Sequence, residues 1–172
     1  VNSFSLFTDV SLDPWRKRGV GAYLVVPASF MEVPPHSIGR SAVTGRLVLR
    51  RFEDTSSTRL EVQTVLSALE DFRNELKAAA PVKLKVYSDS QCVAGLLGRR
   101  QGLEAGRFIS KGKNRRITNA SLYRKFYEFH DELGFAVIKV AGHSRSRSHD
   151  TVHRIFSCVD REVRQALNLW IG

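Results

Sequence analysis

What most limits how this chain can fold is a helix followed at once by a strand. Leu60 or Val62, Leu66, Leu69, Phe72 and Leu76 recur at three- and four-residue steps, with Glu70, Asp71, Asn74 and Lys77 on other faces, the pattern of an amphipathic helix. Thr58-Arg59-Leu60-Glu61 at its start has the spacing of a capping box, in which Thr58 bonds the Glu61 N–H and Glu61 reaches back. Ala78-Ala79-Ala80-Pro81 ends it. Val82, Leu84 and Val86 then alternate with Lys83, Lys85 and Tyr87, the period of two of a strand, and the run stops at Ser88-Asp89-Ser90. Because strands also precede the helix, the strand that emerges from this crossover is expected to lie parallel to a partner in the same sheet, through a right-handed connection.

The preceding strands read as a meander. Residues 4–10 (FSLFTDV) alternate and carry Asp9 near their end, Asp13-Pro14 turns the chain, and Trp15-Arg16-Lys17-Arg18-Gly19 forms a basic loop. Residues 20–26 (VGAYLVV) make a second strand that Pro27 ends, and a Pro-containing connection leads to a third over 45–52. Beyond Asp89 a short helix is expected over 90–97, then a basic segment in which Gly98, Gly102, Gly106 and Gly112 argue against one continuous helix. A helix from Asn119 or Ala120 to Leu133, stopped by Gly134, leads to a strand over 135–140. Val152, Phe156, Val159, Val163, Leu167 and Trp170 then mark a terminal helix, with Asp160 next to the apolar stripe. The expected fold class is α/β, a five-stranded mixed sheet (three-strand meander plus two parallel strands) with helices on its faces.

A chain of 172 residues, 42% apolar, suits one compact domain over 1–172. Its charge of +10 points to a polyanionic partner. Most of the excess lies within 99–125, where nine basic residues face the single acid Glu104, so this segment reads as a basic arm or, in the plainer alternative, a solvated loop. Cys92 and Cys158 have neither CxxC spacing nor paired histidines, and read as small unpaired core residues of an intracellular, reducing compartment, cytoplasm or nucleoid or nucleus. The longest apolar run is broken by Pro27 and is too short to span a membrane, and the basic segment lacks the continuous amphipathic helix of a membrane-surface binder, so no membrane partner is expected. The start at Val1, with no Met and no recognisable signal peptide, leaves room for a preceding segment.

Four acids sit at ends and edges of these elements: Asp9 late in the first strand, Glu61 in the first turn of a helix, Asp89 after the fourth strand and Asp160 on the last helix. Each has an ordinary alternative as a turn, cap or surface residue. Together they suggest more. Ligands of α/β sheets gather beyond the carboxyl ends of strands, and four carboxylates in one place repel unless hard cations neutralise them, which points to Mg²⁺.

Phe7-Thr8-Asp9 with Ser11, Thr58-Arg59-Leu60-Glu61, Tyr87-Ser88-Asp89-Ser90-Gln91, Val140-Ala141-Gly142-His143-Ser144 and Asp160 resemble, in that order and on matching elements, the motifs of type 1 ribonuclease H. This family cuts the RNA strand of RNA–DNA hybrids. The resemblance implies the ribonuclease H-like fold and makes Asp9, Glu61, Asp89 and Asp160 the catalytic, metal-binding acids. Those acids would hold two Mg²⁺ ions, with Mn²⁺ as substitute, for an in-line attack leaving 5′-phosphate and 3′-hydroxyl ends. It implies His143 as the accessory catalytic residue and an RNA–DNA hybrid as partner. It also places Ser57, Thr58, Ser90, Lys111, Lys113, Arg115, Arg116 and Asn119 on the substrate, Asn119 at a DNA phosphate and the cations within the gripping arm. A monomer is expected.

The sequence departs from that pattern in several places. Val10 stands where the family has Gly, with its side chain beside the scissile strand, and Trp15-Arg16-Lys17-Arg18 replaces a Gly- and Pro-rich loop. Ser57 and Thr58 stand in place of paired Asn, and the Asn a turn before the last Asp is missing. The spacing from His143 to Asp160 is long, which makes His149 and His153 rivals for the histidine role. Beside the hybrid endonuclease stand two other readings: a DNA-acting relative (transposase, integrase or resolvase core), and a non-catalytic nucleic-acid-binding domain, distinguished by whether the acids converge within reach of a shared metal.

Overall fold

The computed structural model describes residues 2–76, 81–141 and 150–172. In chain order the elements are β1 (Asn2–Asp13), β2 (Arg18–Pro27), α1 (Arg40–Thr44), β3 (Val48–Phe52), α2 (Ser57–Glu75), β4 (Val82–Ser88), α3 (Gln91–Ala105), α4 (Ala120–Leu133), β5 (Ala136–Lys139) and α5 (Thr151–Ile171). They build a five-stranded sheet in the order β3-β2-β1-β4-β5. β1, β2 and β3 are an antiparallel meander, while β4 runs parallel to β1 and β5 parallel to β4, as the crossover demanded.

The pleat sends alternate side chains to opposite layers. On one side Leu6 and Tyr23 pack under α2, α3 and α4 with Val65, Leu69, Leu96, Phe126 and Tyr127. On the other, Phe7, Val20, Ala22 and Leu24 pack under α5 with Ile155, Val159 and Val163. Cys92 and Cys158 are unpaired, as expected. No helix among the described residues is long and apolar enough to cross a membrane.

Three local expectations are corrected. The capping box is not formed: Ser56 is the N-cap of α2, no side chain caps it, and Thr58 already lies inside the first turn. Glu61 is therefore the fifth residue of α2 rather than part of its N-terminal cap. Secondly, α3 does not stop near Leu97 but runs to Ala105 through Gly95, Gly98 and Gly102. A Cβ at any of these three would meet nothing within 4 Å, so they occupy the open side of the helix. Val93, Leu96 and Leu103 bury the other side, and their burial outweighs a helix penalty of about 1 kcal/mol per glycine. Lastly, the connection after Pro27 holds two short 3-10 turns and α1, because Ile38 and Val43 are buried beneath it.

α2 lies unusually close to β2. A Cβ on Gly21 would come to 2.9 Å from the Thr64 Cβ and closer to its hydroxyl, and one on Gly19 would overlap Leu60. Only glycines there let the first turns of α2 descend onto the strand and carry Glu61 with them.

Candidate active site

β1 and β4 pair in parallel as far as Phe7 opposite Tyr87, whose rings stack at 4.8 Å on the α5 side of the sheet. Two residues further on, alternation puts Asp9 on that same side, where β1 has parted from β4, and Asp89 follows directly on the carboxyl end of β4. Ser88 and Ser90 hold the turn between them: the Ser90 N–H donates to Ser88 Oγ at 3.1 Å, and Ser90 Oγ caps α3 by accepting from the Val93 N–H at 3.2 Å. Capping thus falls to Ser90 rather than to Asp89.

Asp9 is 4% exposed and pairs across β2 with the small Ala22. Its Oδ1 accepts from the Val10 N–H at 2.9 Å, while its Oδ2 is buried with no hydrogen-bond partner among the described residues. Burial, then the charge of Asp89, push its carboxyl up to about 8 against the lowering effect of the Val10 N–H, and Asp160 and Glu61 add to the rise. Glu61 is pushed up to about 7, first by burial and then by Asp89. The four acids from β1, α2, the β4–α3 turn and α5 therefore act on one another through space. Asp160 Oδ1 also accepts from Arg164 Nε at 3.1 Å. Among the described residues, no three His, Cys, Asp or Glu side chains stand ready-made as a ligand set.

No protein-family profile matches the chain, and no curated protein sequence matches it. In structure the chain is similar to the foamy viral protease-reverse transcriptase in complex with dsDNA, with a TM-score of 0.58, 11% identity, and coverage of 94% of this chain and 93% of that chain. The fold is ribonuclease H-like. At that identity the fold is what the two share.

A buried carboxylate oxygen within the field of three more acids is a costly arrangement that a hard cation relieves. All four side chains offer carboxylate oxygens, the donors Mg²⁺ prefers. In donor chemistry, though not as a preformed ligand set among the described residues, these side chains suit a hard divalent cation. His143 and His149 lie outside the described residues. His153 is in the first turn of α5, where its Nδ1 sits 2.6 Å from Oδ1 of the capping Asp150. It precedes Asp160 by two helical turns, on the same face.

Ser57 and Thr58 are exposed in the first turn of α2. Val10 alternates to the α2 side, opposite Gly21, so its side chain leaves the strand on the face away from Asp9. Asn119 precedes α4 in the left-handed conformation, at φ 67°, and its Oδ1 accepts from Arg59 Nη1 at 3.1 Å. Arg59, which the sequence shows only as an inner residue of a cap motif, therefore joins Asn119 where α2 and α4 begin. Its partner is sixty residues away, and no local pattern announces the contact.

The basic segment is ordered. Between residues 108 and 117 the chain folds back on itself, Ser110 N–H donating to Arg115 C=O at 2.7 Å and Ile117 N–H to Phe108 C=O at 2.7 Å, with a bridge joining Ile109 and Arg116. This stub exposes Lys111, Lys113, Arg115 and Arg116, and is rooted by the buried Phe108 beneath the Arg124 guanidinium at 4.6 Å. Arg100 is engaged elsewhere, with Glu104 and Asp131.

Proposed function

We propose that the protein is a metal-dependent endonuclease that hydrolyses the RNA strand of RNA–DNA hybrids. The observation that carries this reading is the buried Asp9 Oδ2, unpartnered among the described residues where β1 parts from β4, within the field of Asp89, Asp160 and Glu61. These four acids would hold two Mg²⁺ ions. When bound, Mg²⁺ supplies the water activation and phosphate polarisation needed for in-line attack on phosphorus and departure of the 3′ oxygen.

The chain's own residues bind and orient the strands. Exposed Lys111, Lys113, Arg115 and Arg116 attract phosphates in a salt-dependent way. Asn119, fixed by Arg59, offers its amide N–H₂ to a phosphate of the strand that is not cut. Ser57 and Thr58 have exposed hydroxyls, and Ser90, whose Oγ accepts the α3 cap bond, keeps its O–H to donate; such groups select RNA through its 2′-hydroxyls.

A second reading keeps the chemistry and changes the substrate to duplex DNA. It is favoured by the likeness to a protein whose structure contains dsDNA. Cleavage of end-labelled hybrid, duplex DNA and duplex RNA, side by side in Mg²⁺, separates the two. Cutting confined to the RNA of the hybrid, with 5′-phosphate ends, supports the first reading, and equal cutting of duplex DNA replaces it by the second.

A further inference from the structure

We propose that the β1–β2 hairpin is a stacking finger whose Trp15 indole takes the face of an unpaired nucleotide, where one strand continues past the duplex bound at the carboxylates. This rests on the nucleic-acid reading above but not on catalysis.

The finger projects past the acids. β1 leaves β4 after Phe7, whereas its pairing with β2 continues to Asp13 opposite Arg18. Beyond Asp9 the chain is thus a ribbon without β4, carrying its tip on the order of 13 Å further out at about 3.3 Å per residue. That span corresponds to about four nucleotides of one strand.

At the tip Trp15 is 94% exposed, the most exposed large apolar side chain among the described residues. The turn beneath it is held firmly. Asp13 Oδ1 accepts from the Trp15 N–H at 3.0 Å and the Arg16 N–H at 3.1 Å, and Arg16 Nη1 donates to Asp13 Oδ2 at 2.7 Å. Thr55 N–H donates to the Lys17 carbonyl at 3.0 Å, tying the tip to the loop that enters α2. Arg18 meets Glu53 at 3.4 Å and lies over the Trp170 ring at 5.4 Å. A turn so braced loses little backbone freedom when its indole binds.

Its surroundings define the partner. Arg16, Lys17 and Arg18 follow Trp15 in sequence, Arg16 paired with Asp13 and Arg18 with Glu53, so a ligand that stacks on the ring has cations within reach beside the stack. An aromatic face edged by cations suits a base with its phosphates, and such stacking tolerates any sequence because every base has a π-face. Inside a continuous duplex both faces of each base are already covered by neighbours. The accessible face therefore belongs to an overhang, a gap or a frayed end. Trp170, the other tryptophan, is half-buried between Arg18 and Arg51 and is unavailable for this.

The test measures affinity in EDTA, so that cleavage plays no part, by anisotropy of labelled hybrids of one duplex length, blunt or bearing a short single-stranded overhang. The overhang is expected to tighten binding by the worth of one stacked base, about 5- to 140-fold, and to quench the protein's tryptophan fluorescence. Trp15→Ala erases the advantage, and Trp15→Phe keeps most of it. Equal affinity of the wild type for both hybrids, or an advantage that survives Trp15→Ala, overturns the proposal. So does a Trp15-dependent fluorescence response to phosphatidylserine vesicles with none to oligonucleotides, which assigns the finger to a membrane surface. An overhang preference in a protein that cuts no hybrid retains the finger and removes the nuclease; hybrid cleavage without the preference does the reverse.

Discussion

Asp9 sets the chemistry of the site at the scale of one side chain. One oxygen is satisfied by Val10, the other is buried without a partner among the described residues, and the carboxyl is pushed up to about 8, with Glu61 up to about 7. Both groups hold their protons more tightly in the folded chain than their ordinary values of 3.8 and 4.5 allow. Their contribution to stability is therefore complete below about pH 4 and is lost as pH rises through about 7 to 8. Without divalent cations the protein is expected to lose stability between about pH 5 and 8. Asp9→Asn should flatten that decline and raise stability at about pH 8 by on the order of 2 kcal/mol. Urea denaturation in EDTA at several pH values measures it. Saturating Mg²⁺ should restore stability to the wild type at high pH, and much less to Asp9→Asn.

Two elements control how the site is assembled and addressed. α2 reaches the sheet end because Gly19 and Gly21 leave room for Leu60 and Thr64. Gly21→Ala is expected to destabilise the fold by about 1–3 kcal/mol through overpacking, readable in denaturant melts, and to lower hybrid cleavage by displacing Glu61. The folded-back stub at 108–117 controls substrate grip. Reversing charge at Arg115 and Arg116 should weaken hybrid binding and reduce the slope of log affinity against log salt by about 2; an unchanged slope means the stub does not touch phosphate. Elements were legible to different degrees. β4 stands where its alternation placed it, because period two across a buried strand has few rivals. The start of α2 was misread because Thr58 and Glu61 match a capping box by spacing alone, while the chain enters the helix at Ser56. α3 was cut short because glycine propensity was counted without its helix face: Gly95, Gly98 and Gly102 face open space while Leu96 and Leu103 anchor the helix.

Over the whole molecule, the sheet order sets β1 beside β4 so that Asp9 and Asp89, eighty residues apart in sequence, feel each other's charge, and Glu61 on α2 and Asp160 on α5 reach Asp9 as well. That gathering was readable because each acid stands at an element boundary and the elements come in an order that fixes their neighbours. Contacts such as Arg59 with Asn119, or the bracing of the hairpin by Thr55, were not readable, since they join loops and helix starts that carry no periodic signal. The account depends on the four acids forming one catalytic centre. The measurement that tests this most directly is Mg²⁺-dependent cleavage of a labelled RNA–DNA hybrid by the wild type and by Asp89→Asn, with hybrid affinity determined for both in EDTA. The account predicts RNA-strand cleavage by the wild type, loss of at least about a thousandfold in the variant, and affinities within a few fold. Wild-type protein that binds the hybrid but cuts it no faster than buffer, or a variant that cuts as well as the wild type, contradicts it.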